Sequence, residues 1–159
     1  MLEYLVILIC FLGIFFGYLL RKIAREEVKF GKFGNRYFIW MKRLIYLVLI
    51  ILLLYFSENY IIVIIFAVLG FLVGIYLDEY LFLGGSLAVS FFDKNVLLFV
   101  SGLVFISGLV YGSFLRNLKK GLFSLVFFIP LFLLFFNFNY LDYLIGLSSG
   151  GLFNYILRK

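Results

Sequence analysis

The residues able to do chemistry in this chain are few, and most sit where an apolar run ends. In "LGFLVGIYLDEY", Leu69 to Tyr80, two adjacent carboxylates close such a run, Asp78 and Glu79. Ionisable groups deep in a membrane span mark proton relays and hydrolytic sites. These two are rim residues, and Glu3, Glu58, Asp93 and Asp142 fall at segment ends or in loops. The chain has no His and one Cys, Cys10. An internal disulfide, a Cys/His zinc site and His-dependent acid–base catalysis are therefore excluded. No catalytic residue, cofactor or metal site is expected, and Cys10 reads as a small buried hydrophobe. The remaining polar candidates are hydroxyls. Ser86 and Ser90, four apart beside Gly84, Gly85 and Ala88, could with Ser148 line a polar path; Ser149 extends the theme. The plainer reading is tight packing, with each hydroxyl bonded to a backbone carbonyl.

Four stretches share one spacing: "GIFFGYLLR" from Gly13 to Arg21, "GFLVGIYLD" from Gly70 to Asp78, "GLVYGSFLR" from Gly108 to Arg116 and "GLSSGGLFN" from Gly146 to Asn154. In each, a glycine, a second glycine four residues on and a polar residue four further lie on one helical face. Gly13, Gly17, Gly70, Gly74, Gly108, Gly112, Gly146 and Gly150 would let helix backbones approach closely. The pattern reads as a parallel repeat of a helical hairpin with one helix added. On this reading Asp78 occupies the place of Arg21 and Arg116 on co-directional helices. It is expected to pair with one or both, with Asn154 nearby, because a guanidinium is the best partner for a carboxylate at a lipid rim. Glu79, about 100° around the helix, is expected to face water.

What must position these residues is a membrane bundle. The chain is 66% hydrophobic over 159 residues, against roughly 45–50% in soluble domains. Seven apolar segments can be drawn: Leu2–Leu20, Leu44–Phe56, Tyr60–Leu77, Tyr80–Phe92, Val96–Leu115, Leu122–Phe136 and Tyr140–Leu157. The hydrocarbon core needs about 20 helical residues, so the second and fourth are short. The expected fold is all-α, a polytopic bundle of about seven spans in a single integral membrane domain over residues 1–159. The alternative is six spans, with 80–92 re-entrant. Pro130 is expected to kink the sixth helix.

Orientation follows from charge. With the N-terminus outside and the C-terminus cytoplasmic, thirteen of the fourteen Lys and Arg lie inside, Lys94 being the exception. The N-terminus has its basic residues after the apolar run, so it reads as a first span and not as a cleavable signal. The segment 21–43 carries a net charge of +6. It reads as a cytoplasmic juxtamembrane anchor on anionic lipids. The continuing first helix is expected to end at the glycines of its doubled "KFG". Nucleic acid is a weak candidate partner, since the rest of the chain is neutral.

Three function classes fit a cell-membrane protein of this prokaryote-like composition. One is an uncoupled small-solute permease or channel component acting as an oligomer. A second is a non-transporting scaffold or subunit of a larger membrane complex. The third, a lipid-directed enzyme, lacks a nucleophile–base constellation. A water-accessible groove beside Ser86, Ser90 and Ser148 would favour the first. A dry core would favour the second.

Overall fold

The computed structural model describes residues 2–23, 32–114, 123–133 and 141–158. Every regular element among them is helical: α1 (Leu2–Ile23), α2 (Lys32–Tyr55), α3 (Tyr60–Val73), α4 (Glu79–Ser90), α5 (Lys94–Phe114), a 3-10 turn (Phe123–Phe127) running into α6 (Phe128–Leu133), and α7 (Leu141–Leu157). Three stretches are long and apolar enough to cross a bilayer, Leu5–Ile23, Tyr37–Tyr55 and Lys94–Ser113. Their outward faces carry large apolar side chains such as Leu5, Leu8, Leu47, Ile51, Leu98 and Phe99, as lipid as solvent requires.

Two helix pairs are built on bare backbone. In the first, a methyl added to Gly13 would come within 2.7 Å of the Phe105 carbonyl, and one on Gly17 would strike the Leu109 carbonyl. From the other side, Gly108 abuts Gly13 and Ile14, and Gly112 abuts Ile14 and Tyr18. Residue numbers rise together along both helices, so α1 and α5 run parallel. In the second pair, Gly70 abuts Leu147, Gly74 abuts Gly151 and Asn154, Gly146 abuts Val63 and Phe66, and Gly150 abuts Ala67. Thus α3 and α7 are parallel too. All eight glycines are buried. They form two separate seams where the sequence suggested one shared layer.

α4 lies between the seams. It packs against α5 and α7, against the 3-10 turn and α6, and against the start of α2. All twelve of its residues, Glu79 to Ser90, are buried. At 1.5 Å per residue it is about 18 Å long, well short of the hydrocarbon thickness. Its backbone is approached at Gly84 by the Phe127 carbonyl and at Gly85 by the Ser148 hydroxyl, while Gly151 of α7 makes room for the Phe82 ring. Side chains of Leu49, Leu53, Leu83, Leu87, Val104, Ile145 and Leu152 fill the core around it.

Several boundaries differ from the sequence reading. α2 is 24 residues long and starts at Lys32, so the second "KFG" lies inside a helix, and the second segment, short in sequence, belongs to a helix long and apolar enough to cross a bilayer. Residues 24–31, where the first helix was expected to end, lie outside the described residues. α3 ends at Val73, four residues early, and the chain turns through Gly74–Leu77 on bonds from Gly74 N to Gly70 O (2.8 Å) and Tyr76 N to Val73 O (3.0 Å). Pro130 does not kink a long helix. It is the third residue of α6, in the first turn, where its missing N–H removes no helical bond.

Candidate functional site

The turn after α3 delivers Asp78 to the head of α4. Its backbone is extended (φ −72°, ψ 145°) and Oδ1 accepts from the Tyr80 amide at 3.2 Å, so it is the N-cap. The first amides of a helix lack internal partners and its N-terminus carries partial positive charge, so a short carboxylate suits both needs where Lys or Arg would not. The second oxygen, Oδ2, accepts from the Tyr111 hydroxyl of α5 at 3.2 Å.

Among the described residues the oxygens of Asp78 are thus engaged by an amide and a phenol, not by the arginine pairing expected from the sequence. No ion pair joins it to Arg21 among the described residues, and Arg116 lies outside them. The physical reason is that both carboxylate oxygens of Asp78 are spent, one on capping α4 and one on Tyr111 of α5. Asn154 bonds to α3 instead, its Nδ2 donating to the Phe71 carbonyl at 2.9 Å.

The ion pair in the described residues belongs to the neighbouring acid. Glu79 is 2% exposed, against the expectation that it faces water. Lys42 Nζ reaches it from the first half of α2, 2.7 Å from Oε1 and 2.5 Å from Oε2. Capping by Asp78 sets the rotation of α4, and the following residue then turns inward, not toward solvent. Lys42 also lies 5.6 Å from the Tyr46 ring centroid and 5.8 Å from that of Tyr111, cation–π distances that offset part of its desolvation.

Around this pair stand Tyr46, one turn beyond Lys42 on α2, and Tyr80, whose ring meets Tyr111 edge-on at 5.0 Å and Phe127 at 6.2 Å. Tyr46 and Tyr80 are buried. The Tyr80 hydroxyl points at Gly108, where a methyl would sit 3.2 Å from it. Tyr155 donates to the Leu77 carbonyl, and Arg158 donates to the Ile75 carbonyl at 2.6 Å. The result is a polar cluster at the end of the bundle where α3, α5 and α7 finish and α2 and α4 begin.

Lys42, Tyr46, Tyr80 and Tyr111 were not singled out from sequence as a site. The available signals were the i, i+4 pair Lys42–Tyr46 and the Asp cap preceding Glu79–Tyr80. Lys42 lies in the basic segment 21–43, which reads as a lipid anchor.

The serines behave as packing residues. Ser86 donates to Leu83 O at 2.8 Å, Ser90 to Leu87 O at 2.7 Å and Ser149 to Gly146 O at 3.0 Å. Ser148, like Tyr80 and Ser124, has a buried hydroxyl with no close hydrogen-bond partner among the described residues. No group of three or more His, Cys, Asp or Glu is placed to hold a metal among the described residues. Comparison with known proteins gives no matching family model, no similar curated protein and no similar solved structure.

Proposed function

We propose that this chain is a multi-pass integral membrane protein, N-terminus outside and C-terminus cytoplasmic, that serves as a non-transporting scaffold or subunit of a larger membrane complex. The observation that carries this reading is α4. Its twelve residues are buried, its two serines spend their hydroxyls on their own helix, and Leu, Phe and glycine contacts fill the space beside them. A permeation path needs polar groups facing a wettable space. The Asp78–Glu79 end is occupied by capping and by Lys42, contacts that serve packing of the bundle.

A small-solute permease or channel component working as an oligomer is the second reading. What favours it is the set of buried hydroxyls with no close hydrogen-bond partner among the described residues, Tyr80, Ser124 and Ser148, since such groups in membranes are usually satisfied by water or neighbours.

One experiment separates the two. The full chain is reconstituted into phosphatidylglycerol–phosphatidylcholine vesicles, and stopped-flow light scattering follows water, urea and glycerol entry. The scaffold reading expects rates equal to those of protein-free vesicles. Entry several-fold faster, reduced by Ser148→Leu, would transfer the conclusion to the permease.

A further inference from the structure

A groove of about 400 Å³ opens between α2, α3 and α7, walled by residues including Ile50, Leu54, Ala67, Phe71, Gly150 and Phe153, and its open surface is wholly apolar. On α2 the positions Arg43, Leu47, Ile50 and Leu54 are spaced four, three and four apart, which keeps them on one face. The groove's α2 wall therefore leads, about 10 Å further on, to a guanidinium.

The other walls lead to a second one. Phe71 is followed four residues later, in the turn after α3, by Ile75, whose carbonyl accepts from Arg158 at 2.6 Å. Arg43 Nη2 donates to the Arg158 backbone carbonyl at 2.9 Å, which places the two arginines side by side in the fold. Trp40 lies 5.9 Å from the Arg43 guanidinium, and Tyr155 lies 4.8 Å from that of Arg158. Neither arginine meets a carboxylate among the described residues, and each keeps most of its five N–H donors free.

We infer that this groove holds one anionic phospholipid, with an acyl chain along α2, α3 and α7 and its phosphate on Arg43 and Arg158. Two observations select that occupant. Inside a bilayer an open apolar groove is filled by something apolar. The two guanidiniums at one end supply the charge complementarity that a zwitterionic headgroup does not need. Neither the scaffold nor the permease reading requires this lipid, so the inference stands or falls separately.

The test is native mass spectrometry of the full chain released from nanodiscs of equimolar dioleoyl-phosphatidylglycerol and dioleoyl-phosphatidylcholine. The expected result is one retained lipid per chain, phosphatidylglycerol over phosphatidylcholine by tenfold or more. Arg43→Gln with Arg158→Gln should bring that ratio to about one. Val68→Trp, at a groove position 58% exposed, should remove the retained lipid of either kind. Equal retention by the wild-type chain, or retention undiminished in Val68→Trp, overturns the inference. Trp40 is the sole tryptophan and gives a readout that needs no variant. Chain-brominated phosphatidylglycerol at one-tenth of the lipid should quench it at least twofold more than brominated phosphatidylcholine. Equal quenching by the two lipids also overturns the inference.

Discussion

The α1–α5 and α3–α7 seams are made alike in the middle and differently at the ends. Both bring two glycine pairs against backbone, and both run parallel. The second is also tied at each end by polar bonds. Asp142 accepts from the amides of Glu58 (3.1 Å) and Asn59 (3.2 Å) where the helices begin. Asn154, Tyr155 and Arg158 bond to carbonyls of α3 and of the turn that follows it where they finish. Between α1 and α5 the corresponding tie among the described residues is a thiol, Cys10 to the Ser101 carbonyl at 3.4 Å, a weak donor. Lipid gives helices no hydrophobic reason to associate. The α1–α5 pair therefore depends on the closeness of its backbones, whereas α3–α7 has bonds in reserve.

The largest effect should come from breaking the seam without that reserve. Gly112→Leu drives a side chain into the Ile14 carbonyl and is expected to cost about 3 kcal/mol or more. The loss would be seen as a missing monodisperse peak in fluorescence-detected chromatography. Gly150→Leu creates the same clash against Ala67, but the tied ends should keep α3 and α7 together. A disulfide engineered between positions 59 and 142 should still form in that variant, while one between 10 and 101 should be lost in Gly112→Leu.

Next in size is the ion pair at the head of α4, which stands between the seams. Lys42→Met strands the Glu79 carboxylate, whose side chain is 3% exposed, at a cost of about 2 kcal/mol after allowance for the partly exposed lysine. Adding Glu79→Gln should recover most of the loss in thermal unfolding. No recovery would mean that the pair is not what Lys42 contributes. A smaller effect, about 1 kcal/mol, is expected for Asp142→Ala, which removes two exposed hydrogen bonds. It should lower the unfolding temperature while leaving the chromatographic profile intact.

Much of this arrangement was legible in the sequence, and the missed parts share a cause. Glycine spacing carries its own geometry, because a residue without a side chain can serve only where something comes close. Hence all eight repeat glycines are found buried against a neighbouring helix. The helical class likewise follows from lipid, which leaves the backbone little alternative. Which charges meet is not a local property. Arg21 and Asp78 are at matching positions of a pattern, yet their partners depend on which helices pair. The fate of Glu79 depended on α4 starting at that residue, one position after its cap. Lys42 was concealed by its surroundings in sequence, a basic stretch in which any lysine could be an anchor. Pro130 carried a true signal of a helix limit, but it marked the first turn of α6 rather than a bend within a longer helix.

The claim on which the account turns is that α5 meets α1 along one face of bare backbone, and α5 contains its own control. Gly102 has open space where a methyl would go, while Gly112 has the Ile14 carbonyl. Thermal unfolding of Gly102→Ala and Gly112→Ala in the same lipid nanodiscs compares the two directly. Gly102→Ala should match or exceed the wild type, since alanine favours a helix by about 0.5–1 kcal/mol over glycine, and Gly112→Ala should unfold several degrees lower. Equal shifts at the two positions, or greater damage at Gly102, would contradict the seam.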